Sequence, residues 1–525
     1  MATVKWVVLT ASLFLVFQFS TDFLIANPDE NTKVFPLKNS SEAKPAEEKL
    51  KKENVKEAVK KSDQKKENRK AGKWEISGAE CFRYEDWDTF LAKKSTLNHD
   101  YSYSGSRTTL NFKYKTDWSA FNATVNWVRF FGLPTNGSAG SGQSYYSQCG
   151  QDRDYSKVYF RYFNFVFKGL FGNKNDSATI GRFEYANGAE FKGDNKTIET
   201  VKSIRVSDRL FGLNNWTFFQ RSMNGILLRK DSDRFQLAGS YWMPTAGSTS
   251  MDAGDIIKNI KVLTLSGTFK YNKFIPHQEA QLFFYTYKDN RDTTCSRPDN
   301  SGLNVKNGMD INIQNYGFSL IGAYEYSQGV VDTLLWAVVQ RGNWFELTQK
   351  ASAFLAEVGY QWKNVRWTPW FRVGINEGSG DKNPKDGEHG TLFQMLPASR
   401  AYAYSTAYNL MNNRDTFLQL ILKPHPRTNL RMEYHRLKLV EGADRWYSGS
   451  GGTQVCGTSS GITVRTTGGN TDLGSTLDAW ISYNFTKQFS LTLLTSRFRG
   501  GAVVESSFGS DKNQNLTTLE AIYTF

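Results

Sequence analysis

The side chains best suited to chemistry in this sequence are arginines and carboxylates set on an alternating register. Between residues 365 and 375, Val365, Trp367, Phe371, Val373 and Ile375 share one parity, and Arg366, Thr368, Arg372 and Gly374 share the other, with Trp370 as the exception. Further along, Arg431, Glu433 and His435 again share one parity. Guanidinium groups at that spacing suit the recognition of anions, because each offers a planar pair of donors to a carboxylate. The opposing reading is that lumen acids such as Glu433 pair with them and the arginines only brace a wall.

Signatures of catalysis are missing from the sequence. There is no Gly-rich phosphate loop, no Gly-x-Ser-x-Gly turn and no His-Glu-x-x-His. The five histidines, His99, His277, His389, His425 and His435, are too scattered to suggest a metal site, and His435 reads as a solvated polar residue. Asp381, Asn383 and Asp386 begin like a calcium loop, but Pro384 and Lys385 interrupt them. No cofactor is expected. A barrel phospholipase would need Ser and His brought together, which the sequence leaves open.

The chain has 525 residues, of which 39% are hydrophobic, 22% charged and 14% aromatic, with 43 Gly and 12 Pro. A mean hydropathy of −0.52 excludes a bundle of apolar helical spans. It does not exclude a membrane β-barrel, whose strands are apolar on one face only. Residues 1–26 look like a secretory signal: Lys5 precedes the apolar run Trp6 to Phe17, and Ala26 offers a cleavage position, with Leu24 large for the −3 site. Export permits disulfides among Cys81, Cys149, Cys295 and Cys456, and free thiols remain the equal alternative.

Residues 27–72 read as a disordered or helical periplasmic spacer, because residues 41–72 hold 11 Lys/Arg, 7 Asp/Glu and no aromatic. A periplasmic export or cell-wall partner is the minority reading for that stretch. Of the formal net charge of +14, this segment carries +4 and residues 73–525 carry +10. Export argues against nucleic acid as the partner of that basic body and leaves an anionic membrane surface or an anionic substrate.

From Trp74 onward the dominant period is two. Residues 263–271, 316–326, 354–362, 430–435 and 477–485 read as strands, with 477–485 turning through Thr486-Lys-Gln into a strand from Phe489. Phe, Tyr and Trp recur near strand ends, as at a membrane–water interface. Tight turns such as Lys363-Asn364 alternate with long polar segments at 134–154, 289–309 and 448–470. That alternation is how an outer-membrane barrel is built. The chain ends with Leu519, Ala521, Tyr523 and Phe525 on one parity, which resembles the signal read by the barrel assembly machinery.

The run Thr368-Pro-Trp-Phe-Arg-Val-Gly-Ile-Asn-Glu-Gly-Ser-Gly-Asp, then Gly390-Thr-Leu-Phe-Gln-Met-Leu-Pro and Tyr402, resembles the alginate export family of outer-membrane porins. Asn413-Arg, Tyr434-His-Arg-Leu, Asp444-Arg-Trp-Tyr and Leu473-Gly-Ser-Thr-Leu-Asp continue in that family's order. Upstream, Ile180-Gly-Arg-Phe, Arg209, Trp216, Arg221 and Asn224-Gly-Ile-Leu-Leu fit its earlier motifs, with Phe183 and Asn224 as departures. The resemblance implies an all-β fold, a single transmembrane antiparallel barrel of about 18 strands over residues 73–525. It also implies a non-enzymatic outer-membrane porin, in contact with outer-membrane lipid, passing an anionic, alginate-like polysaccharide or oligosaccharide by passive export or diffusion. The pore-lining residues expected are Arg161, Arg182, Arg221, Arg366, Arg372, Arg431, Glu433 and His435. Replacing Arg366 and Arg372 by Glu is expected to lower anion selectivity in a barrel that still folds. The alternative is a barrel enzyme or adhesin acting through its long loops.

Overall fold

The computed structural model describes residues 72–90, 96–292, 297–304, 308–398, 400, 404–447, 464–509 and 512–525. The expected signal and nearly all of the expected spacer lie outside these residues. Strands β1 (Lys73–Asp88), β2 (Asp100–Lys115), β3 (Ser119–Phe131), β4 (Ser156–Lys168), β5 (Ser177–Phe183) and β6 (Met223–Asp231) open the barrel. They are followed by β7 (Phe235–Pro244), β8 (Ile260–Phe269), β9 (Gln278–Asp289), β10 (Ile311–Glu325), β11 (Gly329–Trp344) and β12 (Leu347–Trp362). The last six are β13 (Trp370–Gly378), β14 (Asn413–His425), β15 (Thr428–Leu439), β16 (Asp472–Asn484), β17 (Phe489–Gly500) and β18 (Asn513–Thr524). Each pairs antiparallel with its sequence neighbour, and β18 pairs with β1 from Ala79↔Thr524 to Asp88↔Asn515, closing an 18-strand barrel.

Alternation explains the closure. Along β12, Gln349, Ala351, Ala353, Leu355, Glu357 and Gly359 are buried inward, while Phe354 and Val358 are exposed outward. The outward set continues around the wall with Leu228, Leu265, Leu282, Leu335, Leu418, Leu477 and Leu519, all exposed. A band of that extent is stable only against lipid. Among the described residues no helix is long and apolar enough to cross a membrane. At one rim the outward aromatics pair, with centroids 5.2 Å apart for Trp74–Tyr114, 6.0 Å for Trp118–Phe167 and 4.7 Å for Tyr360–Trp362. They form an interfacial girdle.

That rim carries the short turns, including 116–118, 232–234, 326–328 and 485–488, and the strand ends Lys73 and Thr524. The opposite rim carries the long connections at 132–155, 184–222, 379–412 and 440–471. One connection there is short: Phe345-Glu346 alone separates β11 from β12.

Two long connections fold inward and fill much of the barrel. Residues 184–222 include helix α2 (Lys196–Val201), and an earlier helix, α1 (Ser141–Gln148), lies in the 132–155 connection; α3 (Ala502–Phe508) precedes β18. The Asn195 side chain caps α2 by accepting the Ile198 N–H at 3.1 Å. The 184–222 and 379–412 segments pair with each other: Gly212 N–H donates to Leu396 O (2.8 Å) and Leu396 N–H to Leu210 O (2.9 Å). Phe211, Leu396, Met395 and Phe393 then pack on inward-facing Trp242, Tyr285 and Trp336 in one buried core. The largest apolar core of this protein therefore sits inside the barrel.

Cys81 and Cys149 are buried free thiols, and Cys295 and Cys456 lie outside the described residues. Cys81 faces inward, with Sγ 3.5 Å from Glu520 Oε2.

Candidate lumen site

The inward side chains of β11 to β16 form a buried ionic network. On β13, Phe371, Val373 and Ile375 face outward and Arg372 inward, where its Nε donates to Asp332 Oδ1 (2.9 Å) and its Nη2 lies 3.1 Å from Glu357 Oε2. Glu357 also accepts from Arg205 Nε at 2.9 Å, which ties the 184–222 segment to the wall. The exception in the sequence pattern, Trp370, is explained by the same site: its ring faces inward and its indole N–H donates to Asp332 Oδ2 at 2.7 Å.

Two strands further on, on β15, Arg431 Nη2 contacts Glu433 Oε1 at 2.7 Å. His435 Nδ1 lies 2.9 Å from Asp415 Oδ1, and its Nε2 lies 3.7 Å from Glu433 Oε2. Arg431, Glu433 and His435 thus share the inward face, yet His435 is fully buried and not a solvated residue. Glu433, His435 and Asp478 bring their ligand-type atoms within 4.8 Å of one another. Their lone pairs already serve protein donors: Arg431 on Glu433, and Ser496 Oγ on Asp478 at 2.6 Å. The cluster works as charge compensation in a dry wall, where an unpaired carboxylate would be costly.

Three expected lining positions differ from the sequence reading. Arg366 lies outside β13, in the short turn before it, with its guanidinium 5.1 Å from the Trp367 ring. Positive φ at Trp367 (69°) and Thr368 (42°), followed by Pro369 with no N–H to give, ends the alternation before Arg366 is reached. Arg182 shares the outward parity of Ile180, one residue from the end of β5, and is bonded to Asn224 Oδ1 (2.9 Å) and Phe160 O (2.7 Å). Arg221 is on no strand. It is buried in the inward 184–222 segment, where Nη1 donates to Gly212 O (3.0 Å) and Leu396 O (2.9 Å), fastening the two inward connections together.

Arg161 does face inward, beside a register shift in β4, and contacts Gln220, Glu184 (3.0 Å) and Asn215 (2.7 Å). Arg161, Arg372 and Arg431 are paired with carboxylates, and Arg182 and Arg221 are held by amide and backbone oxygens. The reading in which they brace the wall describes their geometry.

The basic residues that line accessible wall are others. Along β2, Arg107, Thr109, Asn111, Lys113 and Lys115 all face inward and are only partly buried, and Ser77 on β1 beside them is exposed. Lys115 pairs with Glu75 at 2.6 Å. Arg107 Nη1 donates to Thr217 O at 2.8 Å, and no carboxylate lies within ion-pair distance of Arg107 or Lys113 among the described residues. The parity that would have revealed this column is plain in the sequence. Missed as well were Arg83, held by Glu520 (2.5 Å) and Glu85 (3.2 Å), and Arg205. At the short-turn rim a cavity of about 730 Å³ lies between Asn195, Lys196, Tyr271, Glu325, Lys363 and Lys423.

A family model described as alginate export matches residues 142–517. The chain belongs to the alginate export family. No curated protein sequence matches it. Among solved structures, OccK9 (OpdG) of Pseudomonas aeruginosa aligns with a TM-score of 0.53 at 9% identity, covering 86% of this chain and 98% of that one. Acinetobacter baumannii OccAB4 gives 0.52 at 10% identity, covering 87% and 99%. Pseudomonas aeruginosa OccK2 (OpdF), solved in complex with glucuronate, gives 0.52 at 9%, covering 86% and 98%. At these identities the likeness is one of fold. Family and fold together make the protein an outer-membrane β-barrel of the channel-forming kind.

Proposed function

We propose that the protein is a non-enzymatic outer-membrane channel that passes an anionic, uronate-type polysaccharide or oligosaccharide by passive diffusion. The observation that carries this reading is the inner face of β2, where Arg107 and Lys113 face accessible wall without a carboxylate partner. The inward faces of β9, β11 and β12 are buried, as are Tyr101 and Tyr103 on β2 and Asn126, Val128 and Phe130 on β3, so the wetter wall is the short-turn half of β1 and β2. Uncompensated cations on a wet wall lower the energy of a carboxylate leaving bulk water, and several weak contacts in series let it move on. Alginate is a polymer of uronates, and the glucuronate bound to OccK2 is a uronate monomer. Both support the assignment of substrate class.

Planar-bilayer recording of the refolded full chain tests the proposal. We predict an anion-preferring reversal potential in a salt gradient, moved toward cation preference by Lys113→Glu and enlarged at low salt, where the Debye length is longer. A closed barrel that hydrolyses lipid or adheres to a ligand through its loops would overturn the reading. So would a reversal potential that Lys113→Glu leaves unchanged.

A further inference from the structure

The outer surface at the long-loop rim carries cations that no lumen function uses. Arg414 on β14, Arg436 and Lys438 on β15, and Arg497 and Arg499 on β17 all have outward parity and are exposed. Register brings them together. Lys438 lies opposite Arg414, Arg436 opposite Ser475, Ser475 opposite Arg499, and Leu477 opposite both Tyr434 and Arg497. At about 4.8 Å between strands and about 3.4 Å per residue, Arg436, Arg497 and Arg499 sit roughly 7 to 12 Å apart.

Two of the five are compensated: Arg414 pairs with Glu377, and Arg436 with Asp472 at 2.9 Å. Among the described residues no carboxylate lies within ion-pair distance of Lys438, Arg497 or Arg499. Asp472, opposite Lys438 in register, is taken up by Arg436, and Asp88, across Asn515 from Arg497, is engaged by Asn515 Nδ2 (2.9 Å) and His99 Nδ1 (3.1 Å).

Height decides what these cations meet. Arg497 is eight residues and Arg499 ten residues beyond Phe489 at the aromatic rim, which for strands tilted about 40° is roughly 20 to 26 Å along the barrel axis. The apolar band of an outer-membrane barrel is about 25 Å tall. Exposed Leu418, Tyr434 and Leu477 lie level with Arg497, and Leu493 lies about 10 Å below it. The patch therefore stands where acyl chains end and headgroups begin.

We propose that Lys438, Arg497 and Arg499 bind the phosphate groups of an anionic glycolipid of the outer leaflet, whose acyl chains cover the leucines beneath. Guanidinium and ammonium donors on outward strands match phosphate oxygens in charge and in hydrogen-bonding capacity. A second copy of the chain presenting the same face would set like charges against each other. A soluble anion would leave the apolar rows below without a partner.

The test uses the full chain refolded in detergent and native mass spectrometry with two probes, a diphosphorylated glycolipid and the same glycolipid without phosphates. The wild type is expected to retain the phosphorylated probe, and Arg497→Gln with Arg499→Gln to weaken retention roughly thirtyfold, as expected for two surface cations. A Lys261→Gln, Lys288→Gln variant, altered on the same rim at β8 and β9, is expected to bind like wild type. Heat-modifiable gel migration confirms folding of each variant. Equal retention of both probes, equal loss in both double variants, or a dimer in place of a lipid adduct would overturn the proposal.

Discussion

Arg366 and Arg372 stand six residues apart, and the sequence treats them alike as lumen cations. Arg372 is fully buried between Asp332 and Glu357, whereas Arg366 rests on Trp367 in a rim turn. Their substitutions therefore separate. Arg372→Glu would set a third carboxylate beside two buried ones, and breaking a buried pair costs about 3–5 kcal/mol. We predict that Arg372→Glu loses the folded, heat-modifiable band or unfolds at markedly lower urea, and that Arg366→Glu keeps wild-type stability. Comparable stability of the two variants would mean that the network holds no weight in the fold. The expectation that the double variant folds and merely changes selectivity is replaced by this one. Parity alone reveals on which face a strand residue lies. It cannot reveal whether that face is wet, because compensation by Asp332 or Glu357 comes from other strands.

At the scale of elements, the strands were legible because outward and inward residues obey a strict period of two. Expected strands at 263–271 and 354–362 fall within or beside β8 and β12. The inward connections were not legible, since a segment such as 184–222 has no period, and its apolar residues are buried by loops and strands that meet it only in the closed barrel. Burial pushes two carboxyls at these segments up to about 6: Asp208 within 184–222, and Asp444 in the 440–471 connection, which holds the 379–412 segment. Asp208 accepts the Leu213 amide at 3.2 Å, and Asp444 accepts the Asp381 amide at 2.9 Å and the Thr391 hydroxyl at 2.7 Å. An unfolded aspartate titrates near 4, so between about pH 4 and 6 the docked segments hold protons that the undocked ones release. Their contribution to docking is full below about pH 4 and is lost as pH rises through about 6. Hydrogen-exchange protection of the Leu213 and Asp381 amides, corrected for intrinsic rates, should accordingly be higher at pH 5 than at pH 8. Asp208→Asn should flatten that dependence at Leu213, and an unaltered slope would remove the carboxyl from the explanation.

The whole molecule depends on a seam between its first and last strands, formed by residues more than 400 positions apart. At the short-turn end the seam is finished by Phe525, whose N–H donates to Gly78 O (3.0 Å) and whose carbonyl accepts the Gly78 N–H (2.8 Å). The Phe525 ring lies over Gly78 itself, so close that a Cβ there would come within 2.4 Å of the ring. A side chain at Gly78 would have to displace that ring and would also meet the Thr109 carbonyl oxygen at 2.9 Å. A terminal aromatic that completes the ladder and covers a bare glycine hides backbone from lipid, and hidden backbone is what a closed barrel needs. Deleting Phe525 and replacing Gly78 by Val should each lower the fraction of barrel that closes in lipid vesicles, read as the heat-modifiable band. Because both changes remove one contact, the double variant should be little worse than the poorer single variant. Additive losses in the double variant would show that the ring and the glycine act separately, and that the seam is held by its ladder of backbone bonds alone.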